Sequence, residues 1–334
     1  MSLIEIFGQY KDDYINICFI NENNNSYYAH NIKTNQDCVL KIINKKQLEL
    51  GDYDFLIEQI RLEEEITKAC NSENTVNFYR KLETDNYIIF ELEYCETDLK
   101  YYLVNNGELR EEKELFKEIV IGISKALKTL QKKGVMHRDI RPDNIFIKSM
   151  DDASNIIIKL GNFNCSIYIK DNTSEPLGTI FYSSPEIIKN IEYDEKCDLW
   201  SLGVTLFELY FGVLPYGINA NTNIINSIIY GEEEFIIKQS KIPTLDTLFK
   251  KLLTIEQKDR MKYDEFFNYV LNDDFMKEGI IAINDNLEYR KLYDNIINGP
   301  EPTINYNDYK YFCSEEKENM YNILNIVEGA IYLM

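Results

Sequence analysis

Eight consecutive residues constrain this chain more than any other feature: His137-Arg138-Asp139-Ile140-Arg141-Pro142-Asp143-Asn144. Asp139 and Asn144 lie in one short loop, where a carboxylate can accept a proton from a hydroxyl while an amide oxygen holds Mg²⁺. A bare His-Arg-Asp triplet occurs by chance in unrelated proteins, so the interpretation depends on the longer string and on the motifs that accompany it.

The string resembles the catalytic loop of eukaryotic protein kinases, and further motifs follow at that family's spacings over roughly 260 residues. Arg-Pro after Asp139-Ile140 is typical of the serine/threonine class. The resemblance implies an α+β, bilobal fold, with a small antiparallel β-sheet N-lobe that carries one main helix and a larger, mostly α-helical C-lobe. It implies an N-terminal extension (1–13), an N-lobe (14–92), a hinge (93–98), a C-lobe (99–277) and an acidic, helical C-terminal extension (278–334).

The hydrophobic periodicity predicts the same order of elements. Short alternating runs predict strands over 14–19, 27–30, 38–42 and 87–92, and helical spacing predicts helices over 54–70, 111–132, 198–209 and 263–267. Gly134 is a suitable residue to end the second of these helices. The last stretch, 320–331, is amphipathic and predicts a helix that packs on the C-lobe, on a second copy or on a partner.

The bulk composition limits the partners. Acidic residues outnumber basic ones 56 to 36, for a net charge of −20, which disfavours nucleic acid or an anionic membrane and fits a basic peptide or protein partner, or simply solubility. Seven cysteines without C-x-x-C spacing indicate neither a zinc site nor a disulfide framework. With no signal peptide or long apolar run in the sequence, we expect an intracellular protein, cytoplasmic or nuclear.

The resemblance implies a set of ligand-binding residues. Lys41, on a strand, would bind the α and β phosphates of ATP, oriented by Glu63 on the next helix. Asp139 would be the base, Arg141 a phosphate contact, and Asn144 and position 162 the metal ligands. The residues implied around the adenine are Val39, Phe146, and Glu93 and Cys95 of the hinge.

A second set would hold the fold and the activation loop. Gly178 to Glu186 resembles the family's substrate platform, which includes Thr179, and Glu186 is expected to form a buried ion pair with Arg260. Arg138 would bind the activation loop at Glu175, a permanent carboxylate where many relatives carry a phosphate, with Thr173 and Ser174 as rival phosphorylation sites. His137, Phe163 and Asp198 are implied structural residues.

Several positions depart from the family pattern, and all concern phosphate, metal or adenine. No glycine occurs between Gly8 and Gly51, so the hairpin at 21–26 lacks the glycines that let backbone N–H groups approach phosphate. Asn162 replaces the metal-binding aspartate, and Asn164 replaces a glycine expected to act as a hinge. The larger Val39, Phe146 and either Tyr27 or Tyr28 would crowd the adenine slot, and Thr67 would weaken an otherwise apolar stack with Phe78, His137 and Phe163.

Two functions remain open at this level. The first is a pseudokinase, a regulatory or scaffolding module that binds ATP weakly, without Mg²⁺ or Mn²⁺, or not at all. The second is an active serine/threonine kinase with atypical metal loading, favoured by the presence of Lys41, Glu63, Asp139 and Asn144. A small-molecule phosphotransferase is disfavoured by the platform at 178–186 and the motif at 198–203.

Overall fold

The computed structural model describes residues 6–21, 25–48, 53–110, 112–149, 156–171, 178–217 and 219–270. The chain divides into two compact units, 1–281 and 282–334. The predicted C-terminal extension, including the amphipathic stretch 320–331, lies outside the described residues. No helix within the described residues combines the length and the apolar character needed to cross a membrane.

The α+β class is confirmed, with an antiparallel sheet in the N-terminal region and mainly helices after it. The strands are β1 (Tyr14–Asn21), β2 (Ser26–Asn31), β3 (Gln36–Asn44), β4 (Phe78–Glu83), β5 (Tyr87–Glu93), β6 (Thr97–Asp98), β7 (Val135–Met136), β8 (Ile145–Ser149), β9 (Ile156–Leu160) and β10 (Ile167–Tyr168). The helices are α1 (Lys45–Leu48), α2 (Tyr53–Ala69), α3 (Leu99–Asn106), α4 (Lys113–Lys133), α5 (Pro185–Ile188), α6 (Lys196–Phe211), α7 (Thr222–Ile229), α8 (Pro243–Leu252) and α9 (Tyr263–Val270).

The N-lobe is a five-stranded sheet in the order β1-β2-β3-β5-β4. Side chains alternate across β3, so that Cys38, Leu40 and Ile42 are buried in a core cluster while Val39 and Lys41 face the other side. Ile6 and Phe7, which precede β1, belong to the same core cluster. The segment predicted as an N-terminal extension is therefore part of the N-lobe from Ile6 onward.

The long helix α4 forms because one face carries an unbroken apolar stripe. The buried residues on that stripe are Leu115, Phe116, Ile119, Val120, Ile123, Ala126, Leu127 and Leu130. The helix ends at Gly134, which adopts the left-handed conformation (φ 64°, ψ 42°) that a glycine tolerates without strain. Strand β9 crosses α4 so closely that a Cβ at Gly122 would lie 2.5 Å from Cβ of Ile158, so only glycine fits there.

Backbone and ionic contacts join the N-lobe to the sheet formed by β6, β8 and β9. Val76 N donates to Leu160 O (2.9 Å), and Leu160 N donates to Asn74 O (2.9 Å). The buried Glu93 carboxylate forms ion pairs with Lys148 and with Lys159 Nζ, the latter at 2.8 Å. These contacts fix the sheets on either side of the hinge, where the predicted site residues lie.

Candidate functional site

A buried ion pair connects β3 with α2. Lys41 Nζ lies 2.5 Å from Glu63 Oε1, and the two side chains are only 13% and 8% exposed. Alternation along β3 turns Lys41 away from the apolar core, and the packing of Ile57 and Ile60 of α2 against the sheet brings Glu63 within reach. The pair gives the site one positive group whose position is fixed.

Asp139 is held from two sides. Its Oδ1 accepts hydrogen bonds from Thr179 N (3.1 Å) and Thr179 Oγ1 (3.0 Å), and its Oδ2 accepts one from Asn144 Nδ2 (2.7 Å). The chain reaches Thr179 through Gly178 (φ 101°), where a Cβ would lie 2.4 Å from Arg138 O. Glycine is required at this approach, and Thr179 is thereby placed against the carboxylate.

Asn144 and Asn162 bind each other directly. Asn162 Nδ2 donates to Asn144 Oδ1 at 2.9 Å. The Asp139 carboxylate can only accept, so Asn144 must turn its Nδ2 toward Asp139 and its Oδ1 toward Asn162, which must then present its own Nδ2. Asn144 Oδ1, the oxygen expected to bind the metal, therefore accepts a hydrogen bond from Asn162, the other expected metal ligand.

The backbone at Asn162 and Asn164 explains how two asparagines fit here. Asn162 is left-handed (φ 63°, ψ 69°), a conformation that asparagine tolerates better than most residues. Asn164 lies in a 3-10 turn, Phe163–Cys165, and is not among the residues with positive φ. The expectation that Asn164 restricts a glycine hinge concerns movement of this segment and stays a prediction.

Arg141 brings a second positive group beside Asp139. Its Nε lies 3.7 Å from Asp139 Oδ2, and its Nη2 lies 3.7 Å from Asp143 Oδ1. Both distances exceed a hydrogen bond, and the buried Nε has no hydrogen-bond partner among the described residues. A buried donor left in this way favours binding of an anion.

Asp198 holds the catalytic loop by its backbone. Its two carboxylate oxygens accept hydrogen bonds from His137 N and Arg138 N, both at 2.7 Å, and this fixes Arg138 in a left-handed conformation (φ 65°). His137 packs on Phe163, with ring centroids 5.1 Å apart, and its Nε2 donates to Gly161 O at 3.0 Å. Burial lowers the pKa of His137 and raises the pKa of Asp198. His137 is therefore a neutral, structural residue.

The buried Arg138 side chain is bound within the described residues. Its Nε donates to Cys165 O (2.6 Å) and its Nη1 to Tyr193 OH (3.0 Å). Glu175, Thr173 and Ser174, the residues expected at the activation loop, lie outside the described residues. Tyr193 could not be predicted as a partner, because 55 residues separate it from Arg138.

The register of β2 against β3 decides which tyrosine faces the adenine slot. Tyr28 is directly opposite Val39, so the two share a face, whereas Tyr27 packs against the core cluster on the other face. Ser26, a small residue, is opposite Lys41. The Tyr28 ring contacts the Tyr94 ring of the hinge (centroids 5.1 Å apart), so crowding from β2 is confined to the hinge edge of the slot.

The hinge residues are mostly occupied by structural contacts. Glu93 accepts a hydrogen bond from Asn77 N (3.1 Å) in addition to its two lysines, and its own N donates to Asn77 O (2.9 Å), so its carboxylate and its N–H are both occupied. Burial raises the pKa of the Cys95 thiol to about 12, which makes it an unreactive neutral group. The sequence analysis did not single out Lys159, which pairs with Glu93. Lys159 lies inside the apolar run Ile156–Leu160, and a lysine in such a run indicates a buried ion pair.

Asn25, the residue before β2, is hydrogen-bonded to β3. Asn25 is left-handed (φ 45°), its O accepts a hydrogen bond from Ile42 N (3.0 Å), and its Nδ2 donates to Ile42 O (2.7 Å). Residues 22–24 lie outside the described residues. An asparagine thus replaces glycine here by bonding to the neighbouring strand, next to Lys41.

The expected pair below the substrate platform is present. Arg260 Nη1 and Nη2 bind Glu186 Oε1 (2.5 Å) and Oε2 (2.9 Å), and the side chains are 0% and 2% exposed. The guanidinium also bonds the carbonyl groups of Thr254 and Lys196. This bidentate pair fixes α5, and with it the end of the platform.

Comparison with known proteins gives one family. The family model described as protein kinase domain matches residues 23–275. Relatives include the serine/threonine-protein kinase unc-51 of Caenorhabditis elegans (29% identical, over 71% of this chain and 28% of the relative) and the kinase ATG1a of Arabidopsis thaliana (30%, over 70% and 37%). Human ULK1 is 29% identical, over 73% of this chain and 23% of the relative. The chain thus matches well under half the length of these relatives.

Proposed function

The chain belongs to the protein kinase family, and we propose that within it this protein is a pseudokinase, a regulatory or scaffolding module that binds ATP weakly and without a divalent metal. The observation that carries the proposal is the 2.9 Å hydrogen bond from Asn162 Nδ2 to Asn144 Oδ1.

Mg²⁺ does not fit the residues present at its expected site. Its usual ligands in phosphoryl-transfer sites include carboxylates, whereas Asn144 and Asn162 offer two neutral amides, one of whose oxygens already accepts a hydrogen bond. Losing one electrostatic group of this kind costs about 3 kcal/mol of transition-state stabilisation, or about a hundredfold in rate.

The phosphates of a nucleotide fit better than the metal. The Lys41 ammonium is fixed by Glu63, and Arg141 has a buried Nε without a partner among the described residues. Arg141 also lies 3.7 Å from the carboxylates of Asp139 and Asp143, so the two positive groups favour weak binding of a phosphate anion. Asn25 is hydrogen-bonded to β3 in a segment where the family has glycines that let the backbone approach phosphate. Its presence supports weak rather than tight binding of ATP.

The second candidate is an active serine/threonine kinase with atypical metal loading. The relatives described above are named serine/threonine-protein kinases. This candidate is favoured by the Lys41–Glu63 pair and by Asp139, which Thr179 and Asn144 hold in place. Either function implies a protein or basic peptide as partner, presented to the platform at 178–186.

A transfer assay separates the two candidates. The full chain is incubated with γ-labelled ATP, Mg²⁺ or Mn²⁺ and a basic protein substrate, beside an Asp139→Ala variant. We expect no label above the level of the variant. Label that depends on Asp139 would overturn the proposal in favour of the active kinase.

A further inference from the structure

The outward side of α4 differs in charge from the rest of the chain. From Ile119 to Lys133 the helix contains four lysines and no acidic residue, in a chain of net charge −20. All four are exposed, and together they form what we call the lysine face: Lys125, Lys128, Lys132 and Lys133. Among the described residues, no carboxylate forms an ion pair with any of them.

The ordinary explanation for lysines near a helix end covers only part of this face. Lys132 and Lys133 lie in the last turn, where positive charge stabilises the helix dipole. Lys125 and Lys128 lie about two turns and one turn further back, where that effect has faded. Lys128 is also placed over the ring of Phe267 in α9, with Nζ 5.8 Å from the centroid.

A recess adjoins the face at the Lys125 end. It has a volume of about 250 Å³ and lies between α4 and β9, with Ile121, Lys125 and Ile157 in its lining. Glu73 and Glu118 also line it, so the positive surface is bounded by negative charge at this end. On the other side, Asp264 of α9 accepts a hydrogen bond from Gln131 (3.4 Å).

We propose that the lysine face binds a short acidic segment of a partner protein. The spacing Lys125, Lys128, Lys132 follows i, i+3, i+7, so a helix with carboxylates at the same spacing matches it. The face is about 12 Å long, which suits three or four charges and no more.

The acidity of the whole chain selects a short ligand. Charges are screened beyond about 8 Å at physiological ionic strength, so a ligand on the face is influenced mainly by the four lysines. A nucleic acid or an anionic membrane would extend past the face and meet Glu73, Glu118 and the acidic surface of α9. A segment of protein with few charges avoids this repulsion.

The test is fluorescence anisotropy with the full chain and a labelled helical peptide of about 14 residues, with glutamates at i, i+3 and i+7. The variant Lys125→Glu/Lys128→Glu/Lys132→Glu is compared with Lys250→Glu/Lys258→Glu/Lys262→Glu, which changes the net charge equally at exposed lysines elsewhere. Thermal unfolding verifies that both variants fold.

We expect binding that weakens with salt, a loss of about tenfold or more in the first variant, and a loss of less than about twofold in the second. Equal losses in both variants, or no binding by the unaltered chain at low salt, would overturn the proposal. Tighter binding of a duplex DNA of similar length, or of phosphatidylserine vesicles, would also overturn it, because the ligand class would be wrong.

Discussion

Asparagine at position 162, where the family has aspartate, changes whether Asn144 can bind a cation. An aspartate could not donate to Asn144 Oδ1, so that oxygen would stay open to a cation. Asparagine closes it with a 2.9 Å hydrogen bond. The substitution itself is visible in the sequence, but the bond is not, because it depends on Asp139 fixing which way Asn144 turns.

The variant Asn162→Asp is expected to create a metal site. Its carboxylate would repel Asn144 Oδ1, and a divalent ion would relieve the repulsion. We expect a thermal shift on adding Mg²⁺ that corresponds to about 1.4 kcal/mol when the ion is in tenfold excess over its Kd. The matched control, Asn162→Gly, tolerates φ 63° and frees the same oxygen without adding charge, and should show no shift. An equal shift in both variants would contradict this account, because freeing Asn144 Oδ1 would then create the metal site without the added carboxylate.

Asp98 gives a prediction about pH. Burial raises the pKa of Asp98 to about 6, and the Asp143 carboxylate adds to the rise. The unfolded value is about 3.9, so the folded state binds the proton more tightly and stability falls as pH rises from about 4 through 6. Asp98 also caps α3, because its Oδ1 accepts a hydrogen bond from Tyr101 N (2.7 Å).

The variant Asp98→Asn keeps a capping oxygen and removes the charge. It should therefore be more stable than the unaltered chain by about 1 kcal/mol at pH 7, after allowance for partial exposure, and no more stable at about pH 4. Urea unfolding at the two pH values measures this difference. A gain of the same size at both pH values would contradict the assigned role of the charge.

At the scale of elements, periodicity predicted four of the ten strands and four of the nine helices in the described residues. The strands at 14–19, 38–42 and 87–92 and the helix that ends before Gly134 follow from alternation, from apolar spacing and from one glycine. The face of β2 could not be predicted, since a slip of one residue exchanges Tyr27 for Tyr28. The pairing of Ser26 with Lys41 and of Tyr28 with Val39 is what fixes it.

Asn25, the residue before β2, has a left-handed backbone and a side-chain bond to β3, and two substitutions separate these two features. Asn25→Gly loses the 2.7 Å bond to Ile42 O but keeps the left-handed backbone, whereas Asn25→Ala loses both. We expect the alanine variant to be less stable than the glycine variant by about 1 kcal/mol. The Ile42 amide donates to Asn25 O, so its hydrogen exchange should be faster in the alanine variant than in the glycine variant. Equal exchange rates in the two variants would contradict it.

At the scale of the whole molecule, buried charges join segments that are distant in sequence. Glu93 binds Lys148 and Lys159 across the hinge, and Glu186 binds Arg260 across 74 residues. The second pair was predictable because both members lie in recognisable motifs. The apolar run around Lys159 indicates a buried ion pair, but its pairing with Glu93 was not predictable, because nothing in the spacing of Lys148 and Lys159 connects them to the hinge.

Removing one member of the Glu186–Arg260 pair should destabilise the C-lobe strongly. Arg260→Met leaves a carboxylate that is 2% exposed without its partner, which costs about 3–5 kcal/mol. The double variant Glu186→Met/Arg260→Met should recover part of that loss, because no unpaired charge remains. Urea unfolding of the three chains provides the comparison, and additive losses would contradict a coupled pair.

The effect of a divalent metal on nucleotide affinity tests the central claim most directly. Isothermal titration of the full chain with ATP, in the presence of Mg²⁺ and in the presence of a chelator, gives two dissociation constants. If Asn144 and Asn162 bind each other rather than a metal, the two constants should agree within about twofold. Tightening of about tenfold or more by Mg²⁺ would contradict the claim, since the metal would then be bound by the site.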